Sequence, residues 1–238
     1  MKTNPSPRIP QFSRSLASIA AGAMFVLSSL ASHADVVLRG NVGPRTIDDN
    51  VVIARNTTCV LNGTTIKGNV IVRAGAKLFV RGATVEGNIQ GNGSTLIDIS
   101  QSTQINGDVQ GNKTRSVLIG GSTKVGGNVQ VTRGSIAGKA DVLLVQNSVI
   151  SGDVQAEFSK GAIRVLANSV GGNIQLVQNE GGNFLVTDNL VKSDLQFFGN
   201  KGRGTLTGNQ VGGNLQSKEN TPKPVVRNNS VEGSTELE

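Results

Sequence analysis

The sequence predicts an all-β protein, a right-handed single-stranded parallel β-helix of about nine coils with roughly 20 residues in each. Three observations predict it. A hexapeptide recurs at near-constant spacing, its apolar positions alternate as in a strand with one buried face, and Gly/Asn turns between apolar segments leave no room for a helix. The hexapeptide reads IKGNVI from Ile66, VEGNIQ from Val85, INGDVQ from Ile105 and VGGNVQ from Val125. It continues as ISGDVQ from Ile150, VGGNIQ from Val170, VKSDLQ from Val191 and VGGNLQ from Val211. A degenerate first copy, IDDNVV, starts at Ile47 and a fragment, VEGSTE, at Val231. Successive starts are 19, 19, 20, 20, 25, 20, 21, 20 and 20 residues apart. One coil alone cannot bury its apolar face, whereas a stack in which each coil pairs with those above and below buries every copy the same way. A leucine-rich repeat of similar period needs Leu at fixed offsets, where this chain has mostly Val and Ile. Handedness follows the general crossover preference.

In chain order, residues 1–34 read as a signal peptide. Lys2, Arg8 and Arg14 form a basic lead, an apolar stretch runs from Leu16 to Leu30, and Ser32-His33-Ala34 supplies a small-x-small cleavage site. Cleavage is expected after Ala34, with the mature chain secreted or periplasmic; the apolar stretch is too short for a comfortable membrane span. Residues 35–46 are expected to form an N-terminal cap, 47–230 the β-helix, and 231–238 a charged C-terminal tail or cap. The leader takes with it His33, the only histidine, which excludes a Ser-His-Asp triad, His-based proton transfer and His-ligated zinc from the mature chain. Beyond the leader 20 basic residues face 16 acidic ones, and the basic ones are scattered along the chain without forming a run. With no Trp or Tyr to stack on bases, nucleic acid is not an expected partner. No second apolar run follows, so no membrane insertion of the mature chain is expected.

The columns of the repeat assign a duty to each position. Position 1 is Ile or Val in every copy, and position 5 is Val, Ile or Leu in every full copy, as an inward face requires. Position 3 is Gly except at Asp49 and Ser193, which predicts a left-handed or tightly bent backbone. Position 4 is Asn or Asp: Asn50, Asn69, Asn88, Asp108, Asn128, Asp153, Asn173, Asp194 and Asn214. Like amides at strand spacing form a structural ladder that satisfies turn backbone groups. Its carboxylates raise the question of calcium. Asp108, Asp153 and Asp194 fall on alternate coils, however, about 9.6 Å apart and too far to share one ion. No metal and no cofactor is expected.

Position 6 is the sharpest functional candidate. Gln90, Gln110, Gln130, Gln155, Gln175, Gln196 and Gln216 should point outward as a stripe of amides able to contact a polysaccharide. The plainer alternative is a ladder that serves only the sheet. A second apolar segment alternates in the same manner: Cys59-Val60-Leu61 aligns with Leu78-Phe79-Val80, Ile97-Asp98-Ile99 and Val117-Leu118-Ile119, so Cys59 should be buried. Later coils place Asn168, Asn189, Asn209 and Asn229 two residues before the apolar position 1. The coil around Thr132 to Asp141 carries about five extra residues, a protruding loop in which Arg133, Lys139 and Asp141 are candidate contacts. Of the pair Phe197-Phe198, one ring belongs in the core.

With these motifs the chain resembles a group of bacterial exported β-helix proteins that share stacked V-x-G-N-[VI]-Q coils and have no assigned activity. The resemblance rests also on the closing segment from Asn214 to Gly233 and on TCVLNGTTIKGNV from Thr58 to Val70. In that group a cysteine often follows the last Leu-Gln and another ends the chain; here those places hold Ser217 and Glu238, so that staple is missing. In architecture alone the chain is similar to bactofilin-type β-helices that polymerise end to end. The expected function is an exported, non-catalytic structural or interaction module, with polysaccharide or an envelope protein as partner. The alternatives are a polysaccharide-binding or lyase-like polysaccharide-cleaving envelope protein, and a scaffold that self-assembles through unpaired coil ends. No catalytic residue is assigned, because the carboxylates obey the repeat instead of breaking it as a local cluster.

Overall fold

A computed structural model describes residues 35–137 and 140–238; the predicted signal peptide and Lys139 lie outside the described residues. Each coil is built from three strands joined by three turns. In the coil that starts at position 1 of the second copy, Thr65–Ile66 gives way at Gly68-Asn69 to Val70–Val72. The chain then turns into Lys77–Arg81 and, past Gly82, into Thr84–Val85, one level along the stack. Equivalent strands of successive coils pair in parallel, giving three sheets of 11, 10 and 10 strands. We call them the amide sheet, which holds Val70–Val72 and the Gln column, the long sheet, which holds Lys77–Arg81, and the short sheet, which holds Thr84–Val85. The architecture is a parallel β-solenoid of about ten turns, and no helix occurs among the described residues.

Register follows the repeat: Gln130 lies opposite Gln155, Gln155 opposite Gln175, and Cys59 opposite Leu78. The inward positions stack into one apolar column. Ile66, Val70, Val72, Leu78 and Val80 are fully buried in a single coil, and the column continues through every central coil. Each such side chain contributes about 1.5–3 kcal/mol on burial, which is the principal driving force for stacking. Beside Gly202 and Gly204, where a Cβ would meet their rings, Phe184 and Phe197 fill the column with ring centroids 5.9 Å apart at an interplanar angle of 63°. Phe198, its neighbour, is half-buried on the outer face.

The predicted cap, residues 35–46, contributes Val36–Leu38, Gly40–Val42 and the first residue of Thr46–Ile47, one strand to each sheet. Val36 is in register with Val51, which places Asp35 level with Asn50 in the position 4 column. At the other end Thr235–Leu237 within the tail pairs with Leu215–Ser217. Both ends are therefore coils in their own right.

Of the two backbone forms expected at position 3, the structure has the tight bend and not the left-handed conformation. None of its glycines has a positive φ. The requirement is closeness instead of handedness: a Cβ on Gly87 would meet Oδ1 of Asn69 at 2.7 Å and the Gly68 carbonyl at 2.6 Å, one coil below. The left-handed residues sit at the other two corners, and many are not glycine, among them Lys113, Arg133, Phe158, Ala167 and Asp188 with φ between 48° and 62° like the rest of that set.

Candidate functional site

The position 4 column runs the length of the stack as a hydrogen-bonded ladder. The backbone N–H of each member donates to Oδ1 of the member one coil earlier: Asn69 to Asn50 at 2.8 Å, Asn88 to Asn69 at 2.9 Å and Asp108 to Asn88 at 2.7 Å. The series continues from Asn128 to Asp108, Asp153 to Asn128, Asn173 to Asp153, Asp194 to Asn173 and Asn214 to Asp194, closing on the Ser234 N–H. Where the later residue is Asn, its side-chain NH2 often adds a second donor, as from Asn128 to Asp108 at 3.2 Å. A carboxylate accepts both but cannot donate, and two in succession would stand at strand spacing with like charge. Asp108, Asp153 and Asp194 are each separated by an Asn, which avoids that clash. Among the described residues no group of three His, Cys, Asp or Glu is placed to hold a metal ion.

The Gln column lies beside this ladder on the outer face of the amide sheet, every member half-buried. From Gln130 onward the side chains join one another. Nε2 of Gln130 donates to Oε1 of Gln155 at 3.1 Å, Gln155 to Gln175 at 2.7 Å, Gln175 to Gln196 at 2.6 Å and Gln196 to Gln216 at 3.1 Å. Gln216 ends the row on Glu236 at 3.4 Å. Gln155 also donates to the free carboxylate oxygen of Asp153, and Gln110 does the same with Asp108, so the two columns are cross-linked at those coils. Gln90 lies opposite Gln110 in register without a side-chain bond to it among the described contacts. A primary amide has two N–H groups and two lone pairs, so Gln175 and Gln196 each keep one N–H and one lone pair, while Gln155, bonded to Gln175 and Asp153, keeps one lone pair.

Two further ladders stand at the remaining corners, and both are buried except at the terminal Asn229. Asn168, Asn189, Asn209 and Asn229, which the spacing marks as a recurring position, form one, each backbone N–H donating to Oδ1 of the next coil, at 3.0 Å from Asn168 to Asn189. The other, Asn179, Asn200 and Asn220, escaped sequence reasoning. Asn179 donates to Asn200 and Asn200 to Asn220, while the Asn200 NH2 also reaches the Leu176 carbonyl at 2.8 Å. Its signal was an Asn about 20 residues after its predecessor and just past the Gln-containing strand, but earlier coils put Ser159, Gly134 and Thr114 there.

Of the loop residues, Arg133 and Asp141 are not brought together as one site. Asp141 is nearly buried and takes a bidentate bond from the Arg164 guanidinium, which holds Arg164 protonated to still higher pH than usual. Arg133 lies 5.8 Å above the ring of Phe158, which is exposed one coil further on. Between them Ile136 packs against the core and Ser135 bridges to Lys160, so the described part of the extra segment hugs the stack. Cys59 is fully buried among apolar neighbours, and that desolvation pushes its thiol up to about 11 against a lowering by Arg45. No family model matches the chain, and no curated protein or solved structure is significantly similar to it.

Proposed function

We propose that this chain is an exported, non-catalytic interaction module of the kind its resemblance to bacterial exported β-helix proteins implies, and that the amide sheet is the face it presents to a polysaccharide. The observation that carries this reading is the Gln row. Side chains already bonded from Gln130 to Gln216 have lost most of their rotameric freedom. A partner that takes up their remaining donors and acceptors therefore costs little further ordering, which is how preorganisation raises affinity. The repeat at about 4.8 Å along this face favours an extended, repeating partner over a compact one.

A glycan array on residues 35–238, beside the Gln130→Ala/Gln155→Ala double variant, tests it. Binding by the parent chain that the double variant loses is the expected outcome. Absence of glycan binding by the parent would sink the glycan reading. An elimination assay on pectin and alginate, with and without calcium, separates binding from cleavage: unsaturated product would show the module to be an enzyme.

A further inference from the structure

The basic residues, scattered along the chain, are collected by the coil. A period of about 20 residues returns the chain to the same corner at every turn. At the corner between the amide sheet and the long sheet stand Arg55, Arg73, Lys77, Lys113, Arg115 and Arg133, all exposed. They occupy four of five successive coils, the coil of Gly93 to Thr95 carrying none, over about 19 Å along the stack. Over those coils no acidic residue shares the corner until Asp141, which is engaged by Arg164. None of the six makes an ion pair among the described residues. The run ends where Glu157 and then Glu180 enter, the latter between Lys160 and Lys201.

Two details describe how this edge presents its charge. Lys113 and Arg133 occupy the left-handed corner position itself, with φ of 52° and 54°, in a column where Gly93, Gln178, Gly199 and Glu219 are left-handed as well. A side chain in that conformation costs about 1 kcal/mol that glycine would not, and it aims the cation outward from the bend. The next residue in that column is Phe158, also left-handed at φ 52°, whose ring is 47% exposed beside the Arg133 guanidinium. A row of cations ending on an open aromatic face offers charge pairing and a platform for the apolar face of a sugar ring.

We propose that this corner binds a linear acidic polysaccharide, its carboxylate or sulfate groups on the Arg/Lys row and a sugar ring against Phe158. The cations form a line, which suits a polymer chain lying along the stack more than a planar bilayer. Single-stranded nucleic acid would call for several stacking aromatics, and the row has one. The site is distinct from the Gln row and stands or falls apart from it.

The test uses residues 35–238 and immobilised polygalacturonate and heparin, with neutral dextran, anionic phosphatidylserine vesicles and duplex DNA as comparators. The acidic polysaccharides should bind most tightly, more weakly as salt rises, and Lys77→Glu/Lys113→Glu/Arg115→Glu should weaken them roughly tenfold or more. Phe158→Ala should weaken polysaccharide binding again. Lys124→Glu/Lys192→Glu, exposed cations in and beside the short sheet, should leave it nearly unchanged. An equal loss from the Lys124/Lys192 variant would reduce the effect to net charge and overturn the site. Tighter binding to vesicles or DNA, or no binding to either polyanion, would overturn the ligand class. Circular dichroism of every variant excludes loss of fold as the cause.

Discussion

At the scale of single residues, the solenoid holds its polar groups by geometry and its apolar groups by exclusion, and Cys59 shows the second in isolation. It is an outer member of an alternating triplet, so the sheet turns it inward, between Gly40 and Leu78 in register. Without water to solvate a thiolate, the proton is held to about 11, above the ordinary 9.0. A thiol kept neutral is neither a good nucleophile nor a metal ligand. In native protein at pH 8, iodoacetamide should therefore leave Cys59 unmodified, while denatured chain should react completely; rapid native labelling would contradict the buried placement. The sign of the linkage is also fixed: the raised value contributes stability that is complete below 9.0 and is lost as the pH rises towards 11.

At the scale of the elements, the ladders differ in worth because they differ in burial. Replacing Asn200 by Ala would strand the Asn179 N–H, take from its NH2 one of two acceptors and leave the Leu176 carbonyl without that donor, in a place water does not reach. A buried group left unpaired costs about 1–3 kcal/mol, so Asn200→Ala should lower stability by about 3 kcal/mol in urea titration. Gln175→Ala removes two bonds of comparable length from the outer row, but water can replace them, and its cost should stay below about 1 kcal/mol. Equal shifts of the two midpoints would mean that the Gln row is as structural as the buried corner. The same contrast explains what could be read in advance. Strand positions, the position 4 ladder and the outward Gln column follow from period-two alternation and a fixed spacing. The third ladder did not, because Thr114, Gly134 and Ser159 meet the same corner requirement in other ways and break the column in the sequence. The role of the position 3 glycines also needed coordinates: closeness to the coil below and a left-handed backbone both select Gly, and only the observed φ separates them.

At the scale of the molecule, stacking makes neighbours of residues that the chain keeps about 20 apart. That is why the basic corner was invisible as a run, and why the ends decide how the stack comes undone. A solenoid loses coils from its termini, since an end coil is held on one side only. The two ends are unequal. The first coil buries the inward Leu38, Val42 and Ile47 to within 9% exposure, whereas in the last the inward Val226 and Val231 are only half-buried and Leu237 stands 53% exposed. What holds the final strand is largely polar: Lys218 reaches Glu236 at 2.7 Å, and Gln216 ends its row on the same carboxylate. The hydrogen bond and charge of Lys218 hold Glu236 below its ordinary 4.5, so this contribution is present above that value and is lost as the pH falls through the lowered one. Hydrogen exchange should accordingly begin at residues 225–237, ahead of 36–47, with the central coils last. Protection factors for 235–237 should drop further between neutral pH and mild acid, once corrected for the intrinsic pH dependence of exchange, while those of the first coil stay level. Exchange that starts at the first coil, or a last strand indifferent to acid, would show that the C-terminal end is held by something other than this carboxylate.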